Sequence, residues 1–295
     1  MGYIFALLSV FFGNAKGFSG KKVSGFTEKI NDAMFFNALR MLFCIVIAFA
    51  MIAAQGDILS LKVSGEFLFI GMLSGIFTSV SVVSWLLSVK GEAYMLVEVF
   101  VMLGTVVTLI LSAVIYKEAI SLPQFFGVLL LFAAVLIMCS YNRSVKSSKI
   151  SVKAWIFLIL CSISFGFSDF SQKMFAKVFP DGSIAIFNFY TYIASAAVLL
   201  ICSFILSAGK PTNSKNISKG FGYMLLMSLF LFLNSFFKTK AALYLPAVQL
   251  YPLANSLSLT GSLLMSALFF KEKLTAKCIF GMLLSLAAIM IISFT

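Results

Sequence analysis

Ten long apolar runs, separated by short polar loops, divide this chain of 295 residues. About 20 helical residues cross the ~30 Å hydrocarbon core of a bilayer. The runs therefore predict an all-α membrane protein with ten transmembrane helices, over 2–20, 33–54, 67–89, 93–116, 122–140, 154–174, 183–207, 220–241, 245–270 and 275–294. Composition points the same way. Hydrophobic residues make up 61% and charged residues 11% of the chain, and mean hydropathy is +1.08. Soluble domains are nearer half apolar and a quarter charged. An excess of this size cannot be buried in one core and still leave a wettable surface.

The net charge of +12 would suggest a nucleic-acid partner in a soluble protein. Here most Lys and Arg sit in short loops between apolar runs, where they orient the chain, so no nucleic acid is expected. The chain has no His, which removes imidazole metal sites, His proton relays and Ser-His triads. Cys44, Cys139, Cys161, Cys202 and Cys278 lie in or at the ends of apolar runs without C-x-x-C spacing. They read as small apolar residues, forming neither a disulfide framework nor a zinc site. No basic segment precedes the first run, and Ala6 stands where a myristoylation motif needs Ser or Thr. The first run is expected to be a retained span.

The chain also contains an internal copy. Residues 112–138, SAVIYKEAISLPQFFGVLLLFAAVLIM, align without a gap on residues 266–292, SALFFKEKLTAKCIFGMLLSLAAIMII, with 11 identities in 27 positions. Weaker matches keep the same order: SVFFGNAKGFS in run 1 with SISFGFSDFSQ in run 6, and FFNALR in run 2 with IFNFYT in run 7. The predicted organisation is a first five-helix repeat over 1–140, a polar linker over 141–153 and a second five-helix repeat over 154–295. Five spans is an odd number, so the second copy enters the membrane from the opposite side. This 5+5 inverted repeat is the usual frame for exposing one central site alternately to each side. Counting Lys and Arg by loop puts both termini outside the cytoplasm.

Each copy ends in a small-residue helix, then Lys117-Glu118 or Lys271-Glu272, then Phe-Gly at Gly127 or Gly281, then an Ala pair before the last apolar run. With Arg40 and Tyr251-Pro252, this pattern resembles the drug/metabolite transporter superfamily, most closely its EamA-like ten-helix members. The last two spans also resemble the small multidrug resistance proteins. The resemblance implies transport of a small solute without a cofactor, by a monomer or homodimer in the plasma membrane, and an organism most simply taken as bacterial. Two departures stand out. The embedded first-helix Glu of the small multidrug proteins has no counterpart near Phe12 or Gly13, and Glu98 stands where the second copy has Pro252. Better-known members of the superfamily keep both termini in the cytoplasm, opposite to the loop count, so orientation stays open.

Ionisable residues inside a bilayer are costly, usually face the bundle interior, and mark pathways. The candidates are Lys16, Arg40, Glu98, Asp169, Lys238 and Lys240. Reckoned from the ends of the runs, the first three fall toward one membrane face and the last three toward the other. Lys16 and Asp169 occupy matching positions of the two copies with opposite charge. The pattern predicts two gates, Lys16 or Arg40 with Glu98, and Asp169 with Lys238 or Lys240. Snorkelling to the headgroups is the competing reading, strongest for Lys240. Glu98 or Asp169 would carry a coupling proton if opening separated it from its base.

Asn14, Trp85, Asn188, Tyr190, Asn234, Gln249, Tyr251 and Asn255 are mid-span candidates for a substrate cavity, with helix–helix hydrogen bonding as the alternative for each. Pro246 and Pro252 are expected to break or bend span 9. Gly71 and Gly75 read as close helix packing, and the abundant Phe as lipid-facing filler. Spans 1, 3, 4, 6, 8 and 9 are expected around the cavity, with 5 and 10 peripheral. The leading function is secondary active transport of a small organic metabolite such as an amino acid, as exporter or importer. The alternatives are a multidrug or lipid-intermediate exporter and, behind it, a channel or a membrane-embedded enzyme. No phosphate-binding G-x-x-x-x-G-K-[ST] loop is present to supply energy from nucleotide.

Overall fold

The computed structural model describes residues 1–26, 30–117, 121–146, 150–207, 214–271 and 274–294. Among them, regular structure is entirely helical: α1 (Gly2–Ser24), α2 (Ile30–Gln55), α3 (Gly65–Gly91), α4 (Tyr94–Tyr116), α5 (Leu122–Lys146), α6 (Val152–Val178), α7 (Ile184–Ser207), α8 (Ser214–Tyr244), α9 (Ala247–Leu268) and α10 (Ala276–Phe294), with one 3₁₀ turn at Asp57–Leu61. All ten lie over the apolar runs, but several extend beyond them. α1, α5, α6 and α8 gain polar turns at their ends that hydropathy alone assigns to loops. Glu118 and Glu272, the acidic halves of the two Lys-Glu pairs, lie outside the described residues.

Seven helices, α2 to α8, are long and apolar enough to cross a membrane by length and composition. α1 and α9 fall short for a physical reason. α1 carries Asn14, Lys16 and five glycines or serines in its second half, and α9 carries Gln249, Asn255 and a series of Ser. Asn14, Lys16 and Asn255 turn toward the interior. The described apolar part of α10, Ala276–Ala288, is shorter than a full span.

The molecule is apolar outside, and its interior mixes apolar side chains with many polar ones. Phe11, Val46, Phe69, Val114, Leu136 and Phe204 are exposed, whereas Asn37, Arg40, Ser74, Asp169, Asn188 and Ser262 are buried. That inversion suits a lipid solvent. The Phe residues do not simply face lipid. Phe175 stacks on Phe187 at 4.3 Å, and Phe36 and Phe232 are also in the core. Small residues on the neighbouring helices leave room for these rings.

Helix packing follows a regular pattern. α1 packs on α8 and α6 on α3; α4 on α6 and α9 on α1; α3 on α7 and α8 on α2. α2 packs on α7, α4 on α9, and α5 on α10. Replacing each helix by the one five places along the chain converts this list into itself. Local geometry repeats as well. Lys117 and Lys271, in matching positions of the two copies, are the two non-glycine residues with positive φ among the described residues, at 54° and 51°. Four residues later, Ser121 and Thr275 cap the next helix. Ser121 forms a reciprocal capping box with Gln124, and Thr275 Oγ1 accepts from the Cys278 N–H at 3.4 Å.

Glycine sets the closest approaches. A Cβ on Gly75 of α3 would lie 2.6 Å from Ala194 Cβ of α7, and one on Gly104 of α4 would lie 2.6 Å from the Ser162 carbonyl oxygen of α6. The Gly71/Gly75 pair thus sits at a tight α3–α7 contact. Pro246 is the N-cap of α9 and separates it from α8. Pro252 lies inside α9, which runs through it without a break. Its missing N–H leaves the Val248 carbonyl without its usual partner.

Candidate functional site

Between residues of the two halves lies a cavity of about 100 Å³. A space of this order holds a few waters or one small solute. Residues of α1, α2, α3, α4, α6, α7, α8 and α9 line it. α5 and α10 contribute none of the lining and pack on each other. Besides spans 1, 3, 4, 6, 8 and 9, α2 reaches it through Arg40 and α7 through Thr191 and Tyr192.

Five of the six expected intramembrane charges meet here: Lys16, Arg40, Glu98, Asp169 and Lys238. They surround one space instead of dividing into two sets at opposite faces. The reason is helix length. α1, α6 and α8 run past the apolar segments, so Lys16, Asp169 and Lys238 lie further from the helix ends than a count from the run ends places them.

The acids are held differently. Lys238 Nζ lies 2.7 Å from Asp169 Oδ1 and 2.9 Å from Oδ2. Both side chains are largely buried, and Tyr251 braces the pair by donating its OH to the Asp169 carbonyl at 2.6 Å. The Lys238 ammonium also lies 5.6 Å from the centre of the Tyr251 ring. Glu98 instead accepts from Trp85 Nε1–H at 3.0 Å, with hydroxyls of Tyr94 and Ser262 as further hydrogen-bond partners. Lys16 and Glu98 form no ion pair among the described residues; Lys16 Nζ lies 5.6 Å from the centre of the Phe165 ring. Arg40 is 1% exposed. Its one hydrogen bond among the described residues runs from Nη1 to the thioether of Met227 at 3.2 Å, and its Nε has no partner.

The expected cavity residues divide. Asn14, Trp85, Asn234 and Asn255 line the space. Asn234 donates to the Ser9 carbonyl at 2.7 Å and Asn255 to Thr105 Oγ1 at 2.6 Å, so each also ties two helices together. The other four are not in the lining. Asn188 is buried one layer out, accepting from Ser235 Oγ at 2.7 Å. Tyr190 donates to the Leu61 carbonyl at 2.6 Å beside the 3₁₀ turn. Gln249 accepts from Tyr3 OH near the start of α9. Tyr251 stands behind Asp169. Lys240 also lies outside the cavity, 4.7 Å from the centre of the Phe5 ring.

Sequence reasoning missed Ser74, Thr78, Ser81 and Ser168, which line the cavity, with Thr78 and Ser168 hydrogen-bonded at 3.2 Å. Serine and threonine also populate lipid-embedded helix contacts, so nothing in their type marks them. It also missed Lys173, one turn beyond Asp169 and buried, which donates to the Leu245 carbonyl at 2.9 Å and caps the α8–α9 corner. The i, i+4 spacing of Asp169 and Lys173 on α6 was the available signal.

A solved crystal structure covers 98% of this chain and 96% of its own length, with a TM-score of 0.65 at 13% sequence identity. At that identity the likeness is one of fold. A comparison with curated protein sequences finds no significant match. Residues 1–140, just under half of the chain, match the EamA-like transporter family, the membrane-transport family that the Lys117, Phe126-Gly127 and Ala133-Ala134 pattern resembles.

Proposed function

We propose that this chain is a secondary active transporter of a small organic metabolite, such as an amino acid or related solute, with alternating access around the central cavity. The observation that carries this reading is the cavity itself: a space of solute size in the middle of an apolar molecule, walled by five ionisable side chains. Charges are kept at such depth when they serve a pathway. The family match of residues 1–140 supports the same class.

In this reading all ten helices cross the membrane as two inverted five-helix repeats. Support comes from the helix pairing that maps onto itself and from the matching turns at Lys117 and Lys271. Asp169–Lys238 serves as one gate element, opening and closing as α6 and α8 move. Glu98, held by neutral donors, is the first candidate for a coupling proton. The protein acts in the plasma membrane. A small cavity whose acids already have hydrogen-bond partners favours a compact polar solute over a bulky cationic drug.

Counterflow in liposomes tests the proposal. Purified protein is first screened by thermal shift against metabolites, and the hits are then loaded inside vesicles. Saturable uptake of labelled solute, driven by unlabelled solute inside, is expected. Flux that neither saturates nor shows counterflow would replace the transporter by a channel.

A further inference from the structure

The charges around the cavity do not balance. Three cations, Lys16, Arg40 and Lys238, face two carboxylates, Glu98 and Asp169. Asp169 is taken by Lys238 through both of its oxygens. Glu98 is satisfied by the indole N–H of Trp85 and by hydroxyls. Lys16 and Arg40 are left without an ion-pair partner among the described residues, and both line the same cavity. Two neighbouring buried cations repel each other, and each has lost its hydration. The thioether that Arg40 Nη1 meets is a weak acceptor, and Nε meets none. In the same lining the Thr191 hydroxyl is buried without a partner and is able to donate to an anion. A guanidinium and an ammonium that line one cavity, both short of acceptors, are complementary to an anion.

We propose that the transported solute carries a carboxylate and one net negative charge, and that this group is seated between Lys16 and Arg40. The inference rests on the transporter reading of the cavity and names its substrate class. With both protein carboxylates ionised, the wall carries one surplus positive charge, which a monocarboxylate neutralises. A zwitterion leaves the surplus in place, a cation increases it, and a dianion overcompensates it. Arg40 is almost wholly covered, so Lys16, partly open to the space, makes the first contact and Arg40 supplies the field behind it.

Trp85 provides a local reporter. The chain has two Trp, and Trp155 packs edge-on to Phe100 away from the cavity lining. In Trp155→Phe protein, fluorescence comes from Trp85 alone. Iodide, a monovalent anion and a quencher, is titrated in detergent, with neutral acrylamide as the control. Saturable iodide quenching is expected, relieved by lactate but not by lactamide. The apparent iodide affinity should fall at least tenfold in Arg40→Gln and in Lys16→Gln and recover in part in Arg40→Lys, with acrylamide quenching unchanged. Should Arg40→Gln fail to fold, Lys16→Gln carries the comparison. Quenching that rises linearly and equally in the parent protein and the variants would overturn the anion site. Counterflow in the same preparation separates the two claims. Exchange of a neutral or cationic solute without saturable iodide quenching leaves a transporter with no anion site. Saturable quenching without counterflow of any solute leaves an anion site in a protein that is not a transporter.

Discussion

The two halves of the chain meet the same cavity with different electrostatics. The second half brings Asp169 and Lys238, which close on each other at 2.7 Å with Tyr251 behind them. The first half brings Lys16, Arg40 and Glu98, which share the space without forming an ion pair among the described residues. Lys16 and Asp169 stand at matching points of the internal copy. The two halves share a pattern of helix pairing and of turns but differ in the charges they carry. One side holds the structure together by pairing its charges. The other leaves Lys16 and Arg40 without an ion-pair partner among the described residues.

The largest expected effect breaks the paired side. Asp169→Asn leaves Lys238 buried without its partner and should cost about 3–5 kcal/mol, read by denaturation in mixed micelles. Asp169→Asn with Lys238→Met should recover most of that loss. Lys16→Gln removes a buried charge that has no ion-pair partner, so stability should stay level or rise. Equal losses from Asp169→Asn and Lys16→Gln would erase the contrast between the halves.

Trp85→Phe sharpens the unpaired side. It removes the N–H that holds Glu98 at 3.0 Å and should cost about 1.5–3 kcal/mol, the range for a hydrogen bond to a charged group. Next comes the frame. Gly75→Ala forces a Cβ against Ala194 and should destabilise by about 1–3 kcal/mol through overpacking. Gly222→Ala, with nothing within 4 Å, should instead stabilise by about 1 kcal/mol in the same thermal-unfolding assay, because alanine is the better helix former. The smallest effect belongs to Lys240→Gln. It loses cation–π contacts with Phe5 and Phe236 worth about 0.5–1 kcal/mol, and solute uptake should be unchanged.

Helix number and order were legible because runs of apolar residues report burial in lipid directly. Boundaries were less so: the ends of α1, α6 and α8 are polar yet helical, and that misplaced Lys16, Asp169 and Lys238 relative to the helix ends. The gathering of five charges around one space depends on how helices cross, which hydropathy does not encode. Asn14, Trp85, Asn234 and Asn255 stood out as polar or amphipathic groups in apolar runs, but Asn188 and Tyr190 carried the same signal and serve helix contacts instead. Ser and Thr at the cavity gave no signal, because small hydroxyls suit packing and solute contact equally. The two Lys turns with positive φ and the capping residues after them were visible only as matched letters until their backbone geometry was known.

Ser168 offers the most direct test of alternating access, since it lines the cavity on α6 and cysteine is close to it in size. Ser168→Cys, in protein with Cys44, Cys139, Cys161, Cys202 and Cys278 replaced, is labelled in sealed vesicles with a membrane-impermeant thiol reagent applied from each side in turn. The account predicts labelling from both sides, and protection from both when transported solute is bound. Labelling from one side only, unaffected by solute, would contradict it.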